Sequence, residues 1–331
     1  MEGKRLEVKS PMGDAISRIR FAPRSNNLLI SSWDAVLRLY DVDASDIRLE
    51  VRSEGALIDC CFVDESAALS AGSDCCIRRY DLPSGKHETV GKHDDVVTSV
   101  EYSEETGQLI STGMDKKLIL WDMHACRENG SIKMNSEVES LSLCDYYLMA
   151  AVGKCVNVYD LRNLTGTLQS MGSSMDFQIC CVRSFSNRKG YIVGSIDGRV
   201  GVNFLERSCS SETGCAYRWP DLWQVRFPLS SKSKERKHHL VGINDIATHP
   251  CQNTFVTGDN EGYAIVWDVQ SKKRSFEFPR HRDSVASLSY NHSGQKLAIA
   301  SSYTYREANE MQHAPEIFVQ EVDDLGRPFL E

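Results

Sequence analysis

The sequence predicts an all-β protein folded as a single seven-bladed β-propeller, and two observations carry this prediction. At five places a short apolar segment ends in an aromatic residue followed by aspartate. These pairs are Tyr40-Asp41, Tyr80-Asp81, Trp121-Asp122, Tyr159-Asp160 and Trp267-Asp268. The first four are spaced by 40, 41 and 38 residues, and the gap of 108 before the last accommodates two such units with an insertion. A period near 40 residues that ends in a Trp-Asp-like pair is typical of WD-repeat blades.

Each predicted blade contains three short apolar segments with turn residues between them. In blade one these segments begin at Ile16, Leu28 and Val36, and a turn at Trp33-Asp34 precedes the third. Six further units repeat the pattern, although the fifth lacks the closing aspartate at Leu205. The predicted blades span residues 12–45, 53–85, 92–125, 134–165, 176–208, 240–272 and 281–324.

We expect one propeller domain over residues 1–331, closed by an N-terminal strand near residues 6–8. That strand joins the last blade, because an open ring would leave unpaired sheet edges. Residues 206–240 are predicted to be a long polar insertion that forms a surface loop. Its basic cluster at 230–239 has two interpretations, a solvated loop or a nuclear-import signal. Residues 305–315 are a second polar insertion, within blade seven.

Composition excludes several functions. The formal charge of −8 is unsuited to direct binding of nucleic acid or of anionic membranes, which needs clustered basic residues. The 12 cysteines include three adjacent pairs and no CxxC spacing, which argues against a disulfide framework and a zinc site. No apolar run has the length of a signal peptide core or a membrane span. We therefore expect a protein of the nucleus and cytoplasm, with reduced thiols and no cofactor or metal.

Blade three contains the set of residues that most resembles a catalytic centre. His93, Ser111 and Asp115 are the residue types of a hydrolase triad, and Trp121 follows them. The same spacing is known in WD repeats, where histidine, serine and aspartate hydrogen-bond to the tryptophan and hold the blade together. We interpret the four residues as this structural network. Since the sequence contains no phosphate-binding loop or hydrolase motif, an enzyme is not expected.

We therefore expect the protein to function by binding peptides, and we expect the site at the turns between the second and third strands of the blades. Aligning the blades places the following residues at that turn: Trp33, Ser73, Met114, Gly153, Ile196, Asn260 and Tyr303. Trp33 is the strongest candidate because aromatic residues often anchor interfaces, although packing between blades would also explain it. Arg199, in the equivalent turn of blade five, could pair with a carboxylate of a bound peptide.

Three segments resemble the family of the mitotic checkpoint protein Bub-three, and the likeness covers nearly the whole chain. The segments are Ser31 to Asp41, Gly190 to Val200 and Leu297 to Tyr305. The sister family is the mRNA export factor Rae-one, also a seven-bladed propeller. The resemblance implies a non-enzymatic scaffold of the spindle assembly checkpoint, which acts at kinetochores in mitosis and helps chromosome alignment and segregation.

The resemblance also implies partners and site residues. Family members bind the acidic-hydrophobic GLEBS segment of checkpoint kinases and their non-kinase relatives, and also phosphorylated kinetochore repeat peptides. At the positions that match the family motif, the resemblance implies that Trp33 would anchor the GLEBS segment and that Arg199 would contact its glutamate. We predict a peptide-binding set of Trp33, Met114, Arg199 and Tyr303. The family has a second turn tryptophan where this chain has Met114, and the segment 215–220 also departs from the family pattern, so we predict a divergent member.

Two other functions remain open from the sequence. A Rae-one-like factor would bind nucleoporins and act in RNA export, but the acidic charge argues against an RNA-binding surface. A ubiquitin ligase receptor is the second alternative. Tyr159-Asp160-Leu161-Arg162 resembles the box through which some propellers dock on cullin ligase adaptors, and Asp160 and Arg162 would form that contact.

Overall fold

The structure of the chain is a computed structural model. It describes residues 3–8, 11–123, 125–163, 166–172, 178–186, 190–204, 222–224, 241–304, 313–323 and 327. These residues form 28 strands in seven four-stranded sheets, and every pair of neighbouring strands is antiparallel. Over the same ranges, no helix is long and apolar enough to cross a membrane. The all-β seven-bladed propeller predicted from the sequence is confirmed.

Each sheet is one blade, and in blades one to six its strands follow chain order from the axis outward. Blade one contains β2 (Ile16–Phe21), β3 (Asn27–Ser32), β4 (Val36–Asp41) and β5 (Asp46–Arg52). Blade two contains β6 (Leu57–Phe62), β7 (Ala67–Gly72), β8 (Cys76–Asp81) and β9 (Lys86–Lys92). Blade three contains β10 (Val97–Ser103), β11 (Gln108–Gly113), β12 (Lys117–Asp122) and β13 (Arg127–Lys133).

The remaining blades repeat this order. Blade four contains β14 (Val138–Cys144), β15 (Tyr147–Val152), β16 (Cys155–Asp160) and β17 (Gln169–Gly172). Blade five contains β18 (Ile179–Ser184), β19 (Gly190–Ser195), β20 (Arg199–Phe204) and β21 (Leu222–Gln224). Blade six contains β22 (Ile243–Thr248), β23 (Thr254–Asp259), β24 (Ala264–Asp268) and β25 (Lys273–Glu277). Blade seven contains β26 (Val285–Tyr290), β27 (Lys296–Ser301), β28 (Glu316–Glu321) and the N-terminal β1 (Lys4–Arg5).

Strand β1 closes the ring, but two residues earlier than the sequence predicted. Lys4 pairs with Val319 and Arg5 with Phe318, both on β28. The Leu6 amide still donates to the Ile317 carbonyl at 2.8 Å. The apolar residues near 6–8 pointed to a strand there, but the Leu6 side chain packs into the core between blades seven and one instead.

The outermost strands differ from the sequence prediction. In blades one, two, three, four and six, the fourth strand begins at or after the end of the predicted interval. In blade five, β21 lies inside residues 206–240, which were predicted to be a surface loop, so that prediction is wrong for residues 222–224. Strands β5, β9, β13 and β25 are mostly exposed, and their sequences lack the apolar run that marks an inner strand. The basic cluster 230–239 and the segment 215–220 lie outside the described residues.

The core lies between the blades. The innermost strand of each blade contacts those of both neighbours, so that the seven strands surround one axis. In the described residues the buried apolar side chains form seven clusters, each shared by two adjacent blades. The closing aspartates hold the outer turns: Asp41 accepts from the Ala44 amide at 3.0 Å, and Asp268 accepts from the Gln270 amide at 2.9 Å. This capping explains why the aromatic-aspartate pair recurs at the same position in five of the seven blades.

Candidate functional site

One end of the central axis opens into a cavity of about 470 Å³. It lies on the face that carries the turns between second and third strands, and we call it the turn-face cavity. All seven blades contribute to its lining, with one residue of each blade being Ile16, Ile58, Val96, Val138, Cys180, Asn244 and Ala286. Trp33, Met114 and Tyr303 also line it. Three of the four residues predicted to bind a peptide therefore come together here.

Trp33 forms one side of the turn-face cavity. Its indole packs edge-to-face on the Tyr303 ring, with centroids 6.1 Å apart and planes at 81°. The Trp33 amide donates to the Ala15 carbonyl at 2.9 Å, and Asp34 holds the turn by accepting from the Val36 amide and from Arg38 Nη2. Trp33 is half-buried, so it both packs against blade seven and keeps part of its ring at the cavity.

Tyr303 reaches the turn-face cavity from a different turn position than the alignment gave. The residue at the aligned position can be recognised by one hydrogen bond. Its amide donates to the carbonyl of the residue just before the innermost strand, as the Trp33 amide does to the Ala15 carbonyl. In blade seven this bond runs from the Ser302 amide to the Ser284 carbonyl at 2.9 Å. Ser302, not Tyr303, is therefore the equivalent of Trp33, because Ser301 is the last residue of β27 paired with Val285.

Met114 stands across the ring, on blade three, with 46% of its surface exposed. Its amide donates to the Val96 carbonyl at 2.9 Å, which fixes the turn. An exposed methionine at a cavity is an adaptable apolar contact, since its chain is flexible and its sulfur polarizable. It supplies apolar area without the rigid ring that a tryptophan would provide.

Arg199 does not line the turn-face cavity. Its Nε lies 2.9 Å from Asp197 Oδ2, and its side chain is 35% exposed. Asp197 in turn accepts from the Ser195 hydroxyl. The charge of Arg199 is thus partly compensated within its own turn, and its predicted role with a peptide carboxylate remains a prediction.

The network of blade three is a relay of four buried groups. Trp121 Nε1 donates to Ser111 Oγ at 2.7 Å, and Ser111 Oγ lies 2.7 Å from His93 Nε2. His93 Nδ1 lies 2.9 Å from Asp115 Oδ2. Burial lowers the pKa of His93 in spite of Asp115, which favours the neutral ring, and Nε2 then accepts a hydrogen bond from the Ser111 hydroxyl. Because Ser111 is fully buried and its hydroxyl is bonded to both the indole and the imidazole, the geometry fits the structural network that the sequence predicts, and that role stays a prediction.

Asp160 and Arg162 lie on the opposite face, at the outer end of β16. Arg162 binds Asp160 through two nitrogens, at 2.9 and 2.6 Å, and its guanidinium lies 4.8 Å from the centre of the Tyr146 ring. The side chain is half exposed. Docking of this pair on a ligase adaptor stays a prediction, and it would use a surface separate from the turn-face cavity.

Two acidic residues of the site were not predicted from the sequence. Glu137 and Glu139, at the start of blade four, line the turn-face cavity beside Met114. Glu137 is exposed, and Glu139 Oε1 accepts from Gln178 Nε2 at 2.6 Å. Their signal was available in the sequence. Both flank Val138, the first residue of β14, and the residues that flank the first innermost-strand residue in the other six blades are uncharged. The turn alignment did not include strand starts.

Beneath the cavity lies a buried ionic network, also unpredicted. Arg18 Nε lies 2.9 Å from Asp59, and its Nη1 lies 3.0 Å from Asp245. Arg183 Nη2 lies 2.8 Å from the same Asp245 oxygen. Burial alone would raise the pKa of Asp245, but Arg183 and Arg18 outweigh it and lower that pKa to about 2. Across the described residues, no three His, Cys, Asp or Glu side chains form a group that could hold a metal ion.

The seven four-stranded blades define a WD-repeat β-propeller, and its candidate site is the turn-face cavity. The family model of the WD domain, G-beta repeat, matches residues 86–122 and 230–268.

Comparison with known proteins gives the particular family. The chain is 45% identical to the mitotic checkpoint protein BUB3.3 of Arabidopsis thaliana, over 96% of this chain and 99% of that protein. It is 36% identical to the mitotic checkpoint protein BUB3.1 of the same plant, over 96% and 93%. It is 30% identical to the mitotic checkpoint protein bub3 of Dictyostelium discoideum, over 96% and 94%. The chain belongs to the Bub-three family of mitotic checkpoint proteins.

Proposed function

We propose that this chain is a non-catalytic scaffold of the spindle assembly checkpoint that binds short peptide segments at the turn-face cavity. The partners are checkpoint kinases, their non-kinase relatives with a GLEBS-like segment, and phosphorylated kinetochore repeat peptides. The chain would occupy the nucleus and cytoplasm and join kinetochores in mitosis. The family membership supports the checkpoint role, and relatives named for it span nearly the whole chain.

The observation that carries the binding proposal is the meeting of Trp33, Tyr303 and Met114 at one opening. A half-buried aromatic pair and an exposed methionine offer apolar area at a concave surface. Peptide hot spots have this composition, with a few aromatic anchors in a pocket that excludes water. If the cavity mouth lacked such apolar anchors, a peptide would gain little free energy by displacing water from it.

The test is an array of overlapping peptides from checkpoint kinases, their relatives and kinetochore proteins, probed with the purified chain. Peptides that bind are then measured by calorimetry. We expect Trp33→Ala to weaken binding about 30-fold, since truncation of an anchor typically costs about 2 kcal/mol. Leu168→Ala is the matched control, because Leu168 is 59% exposed just before the outermost strand of blade four and does not line the turn-face cavity. Equal affinities for the wild type and Trp33→Ala would refute the proposal.

A further inference from the structure

We propose that a pocket between blades six and seven binds the phosphate group of a phosphorylated peptide segment, and we call it the rim pocket. Its volume is about 240 Å³, and its lining includes Arg5, Phe278, Arg280, Arg282, Glu316 and Phe318. The inference rests on the proposed function, which counts phosphorylated repeat peptides among the partners. It deepens that function by naming the residues that hold the phosphate.

The rim pocket opens on the face that carries the turn-face cavity. The connector between β25 of blade six and β26 of blade seven forms one side of it. This connector packs on the turn between the second and third strands of blade six. Arg280 Nε donates to the Glu261 carbonyl at 2.7 Å, and the His281 amide donates to the Gly262 carbonyl at 2.8 Å. Since that turn belongs to the face of the turn-face cavity, the rim pocket lies on the same face.

Blade seven links the rim pocket to the turn-face cavity. Ala286 of β26 lines the cavity, whereas Glu316 and Phe318 of β28 line the rim pocket. Only β27 lies between these two strands in the sheet. Because neighbouring strands are about 4.8 Å apart, the two openings are separated by about 10 Å, which an extended chain covers in about three or four residues. A segment anchored at Trp33 and Tyr303 can therefore reach the rim pocket.

The rim pocket is positively charged, although the formal charge of the chain is −8. Its described lining contains three arginines and one carboxylate, that of Glu316. Glu316 lies 2.9 Å from Arg5 and neutralises that arginine. Arg280 and Arg282 are exposed, and neither forms an ion pair with another described residue. Two positive charges therefore remain for an anionic ligand, and charge complementarity of this kind favours the matching partner.

Arg280 is held in position before a ligand binds. Its Nε is bonded to the Glu261 carbonyl, and its guanidinium carbon lies 5.6 Å from the centre of the Tyr263 ring. Its two Nη groups donate to no described residue, so they are available to a ligand. A side chain that is already positioned loses less conformational freedom on binding, which favours affinity.

A phosphorylated side chain fits this arrangement better than a carboxylate. Phosphoserine and phosphothreonine carry a charge of about −1.5 to −2 and three acceptor oxygens, whereas a carboxylate carries a single charge. Arg280 and Arg282 provide two charges and donors in the fork geometry that suits phosphate oxygens. Phe278 is buried and Phe318 is half-buried, so the pocket has an apolar base. Nucleic acid is a weaker match, because its binding needs many clustered cations.

The experiment compares two pools of degenerate peptides that are identical except for a central residue, which is phosphoserine in one pool and serine in the other. Retention of each pool on the immobilised chain is measured. We expect the phosphoserine pool to be retained about ten-fold more strongly, because hydrogen bonds between charged groups are stronger than neutral ones. Added salt should narrow the difference. Trp33→Ala should weaken retention of the phosphoserine pool too, since the segment uses both openings.

Substitutions of the two arginines test the rim pocket directly. The double variant Arg280→Gln, Arg282→Gln should abolish the preference for phosphoserine. Arg282→Gln alone should reduce it, and Arg282→Lys should have an intermediate effect because lysine keeps the charge but not the fork. Arg79→Gln is the matched control, since Arg79 is 44% exposed on β8 of blade two and lines neither opening. It should leave the preference unchanged, and urea midpoints equal to the wild type would show that all variants fold.

The outcomes separate this inference from the proposed function. Peptides that depend on Trp33 but are retained equally with and without the phosphate would overturn the inference and leave the proposed function standing. A phosphoserine preference that survives in the double variant would also overturn it. A preference that depends on Arg282 but not on Trp33 would leave the rim pocket standing and refute peptide binding at the turn-face cavity. Displacement of the phosphoserine pool by single-stranded RNA, at equal phosphate concentration, would overturn the assignment to a peptide.

Discussion

At the scale of single residues, Ser111 joins two buried groups that would otherwise lack partners. Its hydroxyl accepts from Trp121 and donates to His93. We expect Ser111→Ala to lower the free energy of unfolding by about 3 kcal/mol, because a buried polar group left unsatisfied costs about 1–3 kcal/mol and two are affected. Urea unfolding followed by tryptophan fluorescence measures the change.

Blade six provides the comparison for this prediction. Thr257 Oγ1 accepts from Trp267 Nε1 at 3.0 Å, which is the same bond with no histidine in the relay. Thr257→Val keeps the side-chain shape and leaves one donor unsatisfied, so its effect should be about half as large. Equal losses in the two variants would show that the His93 contact adds nothing to stability.

The residues of the site could be predicted only in part. Trp33 and Met114 were found because the repeat gives a register, and the register places turn residues of all blades at one opening. Glu137 and Arg18 were missed because their roles depend on the other blades that meet at the axis. The sequence offered one signal for the Arg18–Asp59 ion pair, because these residues are 41 positions apart, which is one blade period. Opposite charges at that separation are also common by chance.

At the scale of elements, the turns before the third strand need a left-handed residue in most blades. Ala35 has φ 63° and Cys75 has φ 68°, while blade five uses Gly198 with φ 80°. A Cβ on Gly198 would lie 2.5 Å from the Val241 carbonyl oxygen, which is far inside van der Waals contact. Blade five thus requires glycine for space as well as for conformation.

We expect Gly198→Ala to destabilise the protein by about 2 kcal/mol or more, since left-handed backbone costs about 1–2 kcal/mol for a side-chain-bearing residue and the clash adds to it. Ala35→Gly is the matched change in blade one, and it should be neutral or stabilising because glycine removes the conformational cost. The urea midpoints of both variants decide the matter. A Gly198→Ala midpoint equal to that of the wild type would mean that the turn shifts freely.

The outermost strands show the limit of sequence reasoning at this scale. Strand β5 alternates exposed residues with half-buried ones and a single buried one, Val51, and its sequence DIRLEVR resembles a polar loop. An edge strand needs only one hydrogen-bonded neighbour and little burial, so its sequence is under weak apolar constraint. The inner strands, by contrast, are buried by two neighbouring blades, and their apolar runs predicted them correctly.

At the scale of the whole molecule, the ring is joined by polar contacts at its axis as well as by apolar clusters between blades. Asp59 of blade two binds Arg18 of blade one and the Ser99 hydroxyl of blade three. Asp245 of blade six binds Arg183 of blade five and the Ser287 hydroxyl of blade seven. Arg18 links the two carboxylates, so a single buried network ties six blades together.

This network predicts a dependence of stability on pH. The pKa of Asp245 is about 2 in the folded protein against an ordinary 3.8, and Asp59 is lowered in the same direction. A carboxylate with a lowered folded pKa stabilises the fold above its unfolded pKa, and this contribution is lost as the pH falls through the folded value. We therefore expect the free energy of unfolding to decrease between about pH 4 and pH 2.

Asp245→Asn tests whether this residue carries the effect. At neutral pH it should destabilise the protein by about 3 kcal/mol, because Arg183 is left buried without its carboxylate. Its loss of stability between pH 4 and pH 2 should also be shallower than in the wild type, since one titrating group is gone. Asp94→Asn, which removes an exposed pair with Lys117, should change neither quantity appreciably. An unaltered acid slope in Asp245→Asn would show that the central network does not govern the acid stability of the ring.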